Sequence, residues 1–217
     1  MTETLRLVGM LDSPFVRRVA AALELARVPY HHTPLSVGDT ERFAAYSPLK
    51  RAPILVLDDG EPVFDSHLIL SYLSERFPEV AAQLPAEPRS RLRCYQVIGA
   101  ATGLADKAVS AVYEKLFHDP ECQSPALRSR LHGQLVDTLG WLEHRAPEAG
   151  WLLGEQLSQA DIAVATAVRF AHEAHPDVVS MDPLPRLSAW CARVEELPEL
   201  KKTYHPFHPP KPVIACG

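Results

Sequence analysis

Cysteine is scarce in this chain of 217 residues, and none of it is paired for chemistry: Cys94, Cys122, Cys191 and Cys216 lie far apart with no Cys-x-x-Cys. That spacing argues against a zinc knuckle or a dithiol redox site and fits reduced thiols in the cytoplasm. Positive charge is also in deficit, with 22 Lys and Arg against 27 Asp and Glu and a formal net charge of -5. No Lys/Arg cluster reverses this locally, so nucleic acid finds no basic attraction. No apolar run reaches the ~18 residues of a membrane span, so no membrane partner is expected. Residues Met1 to Arg6 are polar and acidic where a secretory signal would carry an apolar stretch, which argues against export. Internal repeats and low-complexity segments are absent too.

What is present is an ordinary globular composition, 47% hydrophobic and 23% charged, long enough for one domain or two. Ten histidines invite a metal reading, above all His172 and His175, which a helix would set on neighbouring turns. No carboxylate completes a known ligand pattern, so these two, like His31-His32, read as surface or core residues and no metal is expected.

Thr4 to Met10 reads as a strand, and Pro14 opens a helix whose apolar residues Phe15, Val16, Val19, Leu23 and Leu25 recur at helical spacing as far as Arg27. Val28-Pro29 ends it. A second strand is expected over Tyr30 to Pro34, then a short helix near Asp39 to Tyr46. The run Ile54-Leu55-Val56-Leu57 reads as a buried strand, Asp58-Asp59-Gly60 as a hairpin turn, and Glu61 to Phe64 as the returning strand. A helix follows from Asp65-Ser66 to Phe77, stopped by Pro78. The order β-α-β, link, β-β-α predicts a small mixed sheet flanked by helices. Glu79 to Pro88 carries two prolines and no periodicity, and reads as a linker. Beyond Arg89 helices are expected over Arg89–His118, Ser124–Arg145, Ser158–His175 and Leu187–Leu197. Four prolines (Pro206, Pro209, Pro210, Pro212) rule out a regular helix in the tail from Tyr204 to Gly217.

Three short segments carry chemistry. Ser13-Pro14-Phe15-Val16-Arg17-Arg18 stands where the first strand meets the first helix, whose N-terminus favours an anion. From that hexapeptide alone Ser13 reads as an N-cap; the sharper alternative is a hydroxyl that stabilises a bound thiolate. Arg51-Ala52-Pro53 precedes the buried strand. If its X-Pro bond is cis, the N–H and C=O of Ala52 are offered to an extended peptide. Asp65-Ser66 starts a helix, as a cap, and also suits an α-amino acid head group, the helix end for the carboxylate and the Asp for the ammonium.

In this order the three segments resemble the N-terminal domain of cytosolic glutathione transferases, in the bacterial serine-type branch. The second half agrees: Leu157-Ser158-Gln159-Ala160-Asp161-Ile162 is a capping box with a hydrophobic staple, Asp161 standing in for Glu or Gln. Pro185-Arg186-Leu187-Ser188-Ala189-Trp190 resembles the start of the family's later C-terminal helix. The resemblance implies an α/β thioredoxin-like domain over residues 1–80, a linker at 81–88, and an all-helical domain over 89–217 with a proline-rich tail. It implies that Ser13 hydrogen-bonds the glutathione thiolate as the catalytic residue. Arg51, Ala52, Pro53, Asp65 and Ser66 would bind the rest of glutathione as cosubstrate. The family's Asn-Pro-x-Gly-Lys-Val-Pro is here Ser47-Pro48-Leu49-Lys50-Arg51-Ala52-Pro53, so Lys50 replaces a glycine.

The implied activity is conjugation of glutathione to small hydrophobic electrophiles by a cytoplasmic homodimer. The alternatives are a glutathione-dependent disulfide reductase or peroxidase, and a non-catalytic binding module. The electrophile pocket is expected between the domains, lined by the helix Arg89–His118 and the tail, with Tyr113, Phe117, Phe207 and His208 as candidates that each also read as packing or surface residues.

Overall fold

The strand LRLV, β1 (Leu5–Val8), occupies the middle of a sheet, with Leu5, Leu7 and Val8 buried and the half-buried Arg6 donating to the Tyr46 hydroxyl at 3.2 Å. The computed structural model describes residues 5–209. Around β1 lie β2 (Tyr30–Thr33), parallel to it, and β3 (Ile54–Val56), antiparallel, with β4 (Pro62–Phe64) antiparallel at the far edge, in the order β2-β1-β3-β4. The register pairs Leu7 with Leu55 and Val8 with Ile54. Because neighbouring side chains alternate faces, these pairs point opposite ways. Leu5, Leu7 and Leu55 enter the main core beneath the helices. Val8, Ile54 and Val56 form a smaller cluster with Leu35 and Phe43 on the other side. Phe43 comes from the short helix α2 (Thr40–Ala44), which caps that face.

Helix α1 (Pro14–Leu25) starts on Pro14 and ends at Ala26, with Arg27 turning out of it at φ 54°. Helix α3 (Ser66–Arg76) follows the β3–β4 hairpin, whose turn is tied by Glu61 N–H to Asp59 Oδ1 at 2.9 Å. Pro78 both stops α3 and begins a new turn, α4 (Pro78–Ala81), inside the run Glu79–Pro88 that carries no sequence periodicity. Proline does this because its missing N–H is unneeded at the first helical position. Residues 82–87 hold no helix or strand.

The helical part comprises α5 (Pro88–Phe117), α6 (Pro125–Glu143), α7 (Gln159–Ala174), α8 (Pro185–Glu195) and a last turn, α9 (Pro198–Lys202). Helix α5 has 30 residues, which at ~1.5 Å per residue makes it about 45 Å long. Helix α7 is buried almost all round, and its alanines 160, 163, 165, 167 and 171 let α1 and α5 approach closely. Its start is the expected capping box: Ser158 N–H and Oγ both donate to Asp161 Oδ2 (2.8 and 2.7 Å), and Leu152 N–H donates to Oδ1 at 2.8 Å. Asp161 is fully buried, and these donors satisfy a carboxylate whose pKa burial pushes up.

One apolar core runs through both halves, joining Val16, Val19 and Leu23 of α1 to Ile162, Val164 and Val168 of α7. Polar ties cross the same seam. Arg17 of α1 makes a two-pronged, buried contact with Glu195 of α8 (2.9 and 2.5 Å) and also donates to the Leu200 carbonyl at 3.0 Å. Gln83 Nε2 donates to the Ala22 carbonyl at 2.8 Å, and the Gln83 backbone carbonyl accepts Gln159 N–H at 2.9 Å. Among the described residues no helix is long and apolar enough to cross a membrane.

Candidate functional site at the sheet–bundle junction

Gly9 sets the geometry. It leaves β1 at φ +134°, and a Cβ there would lie 2.6 Å from Ala52 Cβ and 2.6 Å from Val16 Cγ2. Only a residue without Cβ lets the strand end squeeze between the first turn of α1 and the loop before β3. That loop has a cis Ala52-Pro53 bond. Among the described residues, the N–H and C=O of Ala52 take no backbone partner outside the strand ladder. Lys50, where the resemblance has glycine, keeps the left-handed backbone at φ 51°.

Ser13 is the N-cap of α1, as its position predicts. Its Oγ accepts Val16 N–H at 3.5 Å, the long limit of a hydrogen bond, and the hydroxyl donates to nothing among the described residues. Among the described residues the hydroxyl hydrogen is thus uncommitted. Asp65 caps α3 from an unusual backbone conformation (φ 74°, ψ 127°), its Oδ1 accepting His67 N–H at 2.8 Å and Leu68 N–H at 3.3 Å. Strain of that kind costs about 1–3 kcal/mol and is commonly kept at binding sites. Ser66 is buried, and Arg18 Nη1 donates to its Oγ at 3.3 Å. Burial lowers the Arg18 guanidinium to about 10, partly offset by Asp65, so it stays charged at neutral pH. A fixed cation thus sits beneath the Asp65-Ser66 pair. Arg18 belongs to the hexapeptide, but its partner lies 48 residues on, which the sequence does not show.

All six residues singled out from the sequence (Ser13, Arg51, Ala52, Pro53, Asp65 and Ser66) line one cavity of about 660 Å³. The opposite wall comes from the face of α5 that carries Thr102, Asp106, Val109 and Tyr113, with Phe170 of α7. Their spacing of three and four marks one helix face, a signal the sequence did contain. Burial raises the Tyr113 phenol, opposed by nearby Arg51, so it is protonated at neutral pH. Burial also lowers the His67 imidazole, with Arg18 adding to the effect and Asp65 opposing it.

The described part of the tail, 204–209, closes the cavity. Tyr204 Oη donates to Glu173 Oε1 at 2.8 Å and Phe207 N–H to Glu173 Oε2 at 2.9 Å. Phe207 also meets Phe170 edge-on at 5.3 Å. His205, Phe207, His208 and Pro209 accordingly line the cavity. Phe117 does not: it is half exposed and packs edge-on against Tyr113 at 5.3 Å, one helical turn past the lining face. Asp12 faces the tail; its carboxyl is raised by burial against the lowering influence of the His208 backbone N–H and of the His205 and His208 rings. Pro210, Pro212 and Cys216 lie outside the described residues.

Among the described cysteines none reaches the cavity, and among the described residues no cluster of three or more potential metal ligands occurs. His172 Nδ1 and His175 Nε2 instead meet the carbonyls of Val179 (2.9 Å) and Ala108 (2.8 Å).

A four-stranded mixed sheet with its helices, fused to a bundle and sharing a cleft with it, is the two-domain glutathione transferase fold. The chain belongs to that family: the model for the glutathione S-transferase N-terminal domain matches residues 7–81, and that for the C-terminal domain residues 125–193. It is similar to the uncharacterized GST-like protein YibF of Escherichia coli, 29% identical over 76% of this chain and 81% of that protein. Maleylacetoacetate isomerase of Pseudomonas aeruginosa is 27% identical over 88% and 90% of the two chains. Among solved structures, a glutathione S-transferase from Methylobacillus flagellatus with glutathione bound superposes with a TM-score of 0.84 at 26% identity, covering 92% of this chain and 98% of that one. One from Methylobacterium radiotolerans, in complex with glutathione sulfonate, has the same fold at a TM-score of 0.88 and 22% identity, over 94% and 96% of the chains.

Proposed function

We propose that the chain is a serine-type glutathione transferase that adds the thiolate of glutathione to small hydrophobic electrophiles. The observation that carries this reading is the hydroxyl hydrogen of Ser13 at the N-terminus of α1, uncommitted among the described residues and in one cavity with Ala52, Asp65 and Ser66. Asp65, whose Oδ2 is not used in capping α3, takes the ammonium of the γ-glutamyl group. The N–H and hydroxyl of Ser66, at the start of α3, take its carboxylate, with the Arg18 charge behind them. Ala52 pairs with the cysteinyl backbone as an added strand. Arg51, exposed at the rim, attracts the glycyl carboxylate.

The sulfur then lies at Ser13. A thiol of pKa ~8.5 is only a few per cent ionised at pH 7, and lowering it by about two units takes ~2.7 kcal/mol. A charge-assisted hydrogen bond of ~1.5–3 kcal/mol and a helix-end contribution of ~0.3–1 kcal/mol cover that requirement. Ser13→Ala is expected to cut turnover of a chloronitroarene about 25-fold near pH 7, with the deficit closing as pH rises past ~8.5, while glutathione affinity changes little. Turnover that survives intact would refute the role. A small disulfide and an organic hydroperoxide, assayed beside the arene, separate conjugation from reduction. Failure to bind immobilised glutathione would leave only a binding module. A homodimer is proposed on the strength of the family, and sedimentation at micromolar concentration tests it. A cytoplasmic location accords with the family.

A further inference from the structure

The tail brings two imidazoles into the cavity that the thiolate reading above does not use. His205 and His208 both line it, their ring centroids 5.5 Å apart. Each places Nδ1 on the carbonyl of Pro206, at 3.0 and 2.9 Å. A carbonyl only accepts, so each Nδ1 carries a hydrogen, and Nε2 is the nitrogen left to gain or lose a proton. Asp12, next to Ser13 in sequence, lines the same cavity, and its carboxyl interacts with both rings and with the His208 backbone. The other charged or titratable groups on this cavity are Asp106 and Tyr113 of α5, Arg51 before β3, and Asp65 and His67 at α3. Glu173 of α7 is occupied by Tyr204 and Phe207.

We propose that the His205–His208 pair is the proton donor for electrophiles that gain a proton on conjugation, namely α,β-unsaturated carbonyl compounds. This rests on the transferase reading and extends it. The glutathione thiolate forms a C–S bond at the β-carbon, and the C=C pair moves onto the carbonyl oxygen as an enolate. The oxygen takes the Nε2 proton, the enol rearranges to the ketone in water, and the neutral imidazole is reprotonated from solvent. The thiol proton released at Ser13 balances the proton consumed. Substitution on a chloronitroarene expels chloride and needs no such donor.

The test compares kcat/KM for an aryl-substituted but-3-en-2-one and for a chloronitroarene in wild type, His205→Ala, His208→Ala, the double variant and Tyr113→Phe. The enone-to-arene ratio is expected to fall about a hundredfold in the double variant, and less in either single variant because the neighbouring ring substitutes. Equal slowing of both electrophiles would mean that the tail only encloses the substrate, and would overturn the proposal. So would a ratio that collapses in Tyr113→Phe and not in the histidine variants. Wild type active on the arene with a ratio unmoved by the histidine variants overturns only the donor role. Wild type inactive on both overturns the transferase reading and this proposal with it.

Discussion

Removing Glu195 should damage the fold far more than removing the whole ion pair to which it belongs. Arg17 is 3% exposed and Glu195 8%, and they meet through two contacts across the seam between α1 and α8. In Glu195→Ala the guanidinium stays buried with only the Leu200 carbonyl and the ring of Tyr204, 5.2 Å away, as partners. Stranding a buried charge costs about 3–5 kcal/mol. For a chain of this size that is roughly 6–20 °C of melting temperature, and a large share of a typical stability of ~5–15 kcal/mol. Exchanging both partners for apolar residues of similar size, Arg17→Met with Glu195→Leu, is instead expected to be about neutral, or stabilising by up to ~4 kcal/mol. Urea midpoints of wild type, both single variants and the double variant give the coupling directly. A Glu195→Ala penalty below about 1 kcal/mol, or a double variant as poor as the sum of the singles, would refute the reasoning. Arg169 Nε, 3.7 Å from the same carboxylate, is half-exposed and solvated, and its share should be small.

Two further outcomes follow from other parts of the molecule. Lys50→Gly should stabilise by about 1 kcal/mol, because glycine holds φ 51° without the steric cost that lysine bears there; a lower melting temperature would contradict this. Stability should also fall in acid through His175, and His132 should act in the same direction. Burial lowers both imidazoles, with the positive charge of Lys115 contributing to each. Below the ordinary histidine pKa of ~6.5 the unfolded chain binds protons that the folded one refuses. Stability is therefore full above that pH and declines as pH falls through it. Urea midpoints at pH 7.5 and 5.5 check the sign, and His175→Gln should flatten the difference.

Much of the sheet and the long helices was legible because local patterns coincide with tertiary need. Ile54 to Val56 is buried on both faces and reads as a strand; Ser13-Pro14 and Ser158 to Asp161 signal helix starts that the structure has. The gathering of Ser13, Ala52 and Asp65-Ser66 in one cavity was legible only through family resemblance, since no spacing along a chain says that three loops converge. Pro78 shows where a local rule misleads: read as a stop, it is equally a start. The partners of Arg17 and Arg18 were out of reach for a different reason. These adjacent residues diverge, Arg17 to Glu195 and Arg18 to Ser66, across 178 and 48 positions of sequence. Phe117 shares the helical phase of the lining face but sits one turn beyond the cavity, as the packing residue it also read as, and Phe170 was overlooked although it lies in a strongly apolar helix. The tail had no periodicity to read, and its position depends on Glu173, a residue with no local mark of importance.

The crowding around Gly9 constrains how relatives of this chain can diverge. Its missing side chain would occupy space already held by Ala52 and Val16, one from each side. Val16 can shrink, but Ala52 can only become glycine, so any larger residue at position 9 requires two other changes already in place. Such a route is closed to single substitutions. Position 9 should therefore stay fixed while surface positions beside it drift, and a relative that has lost this glycine should also have rebuilt the loop that holds Pro53.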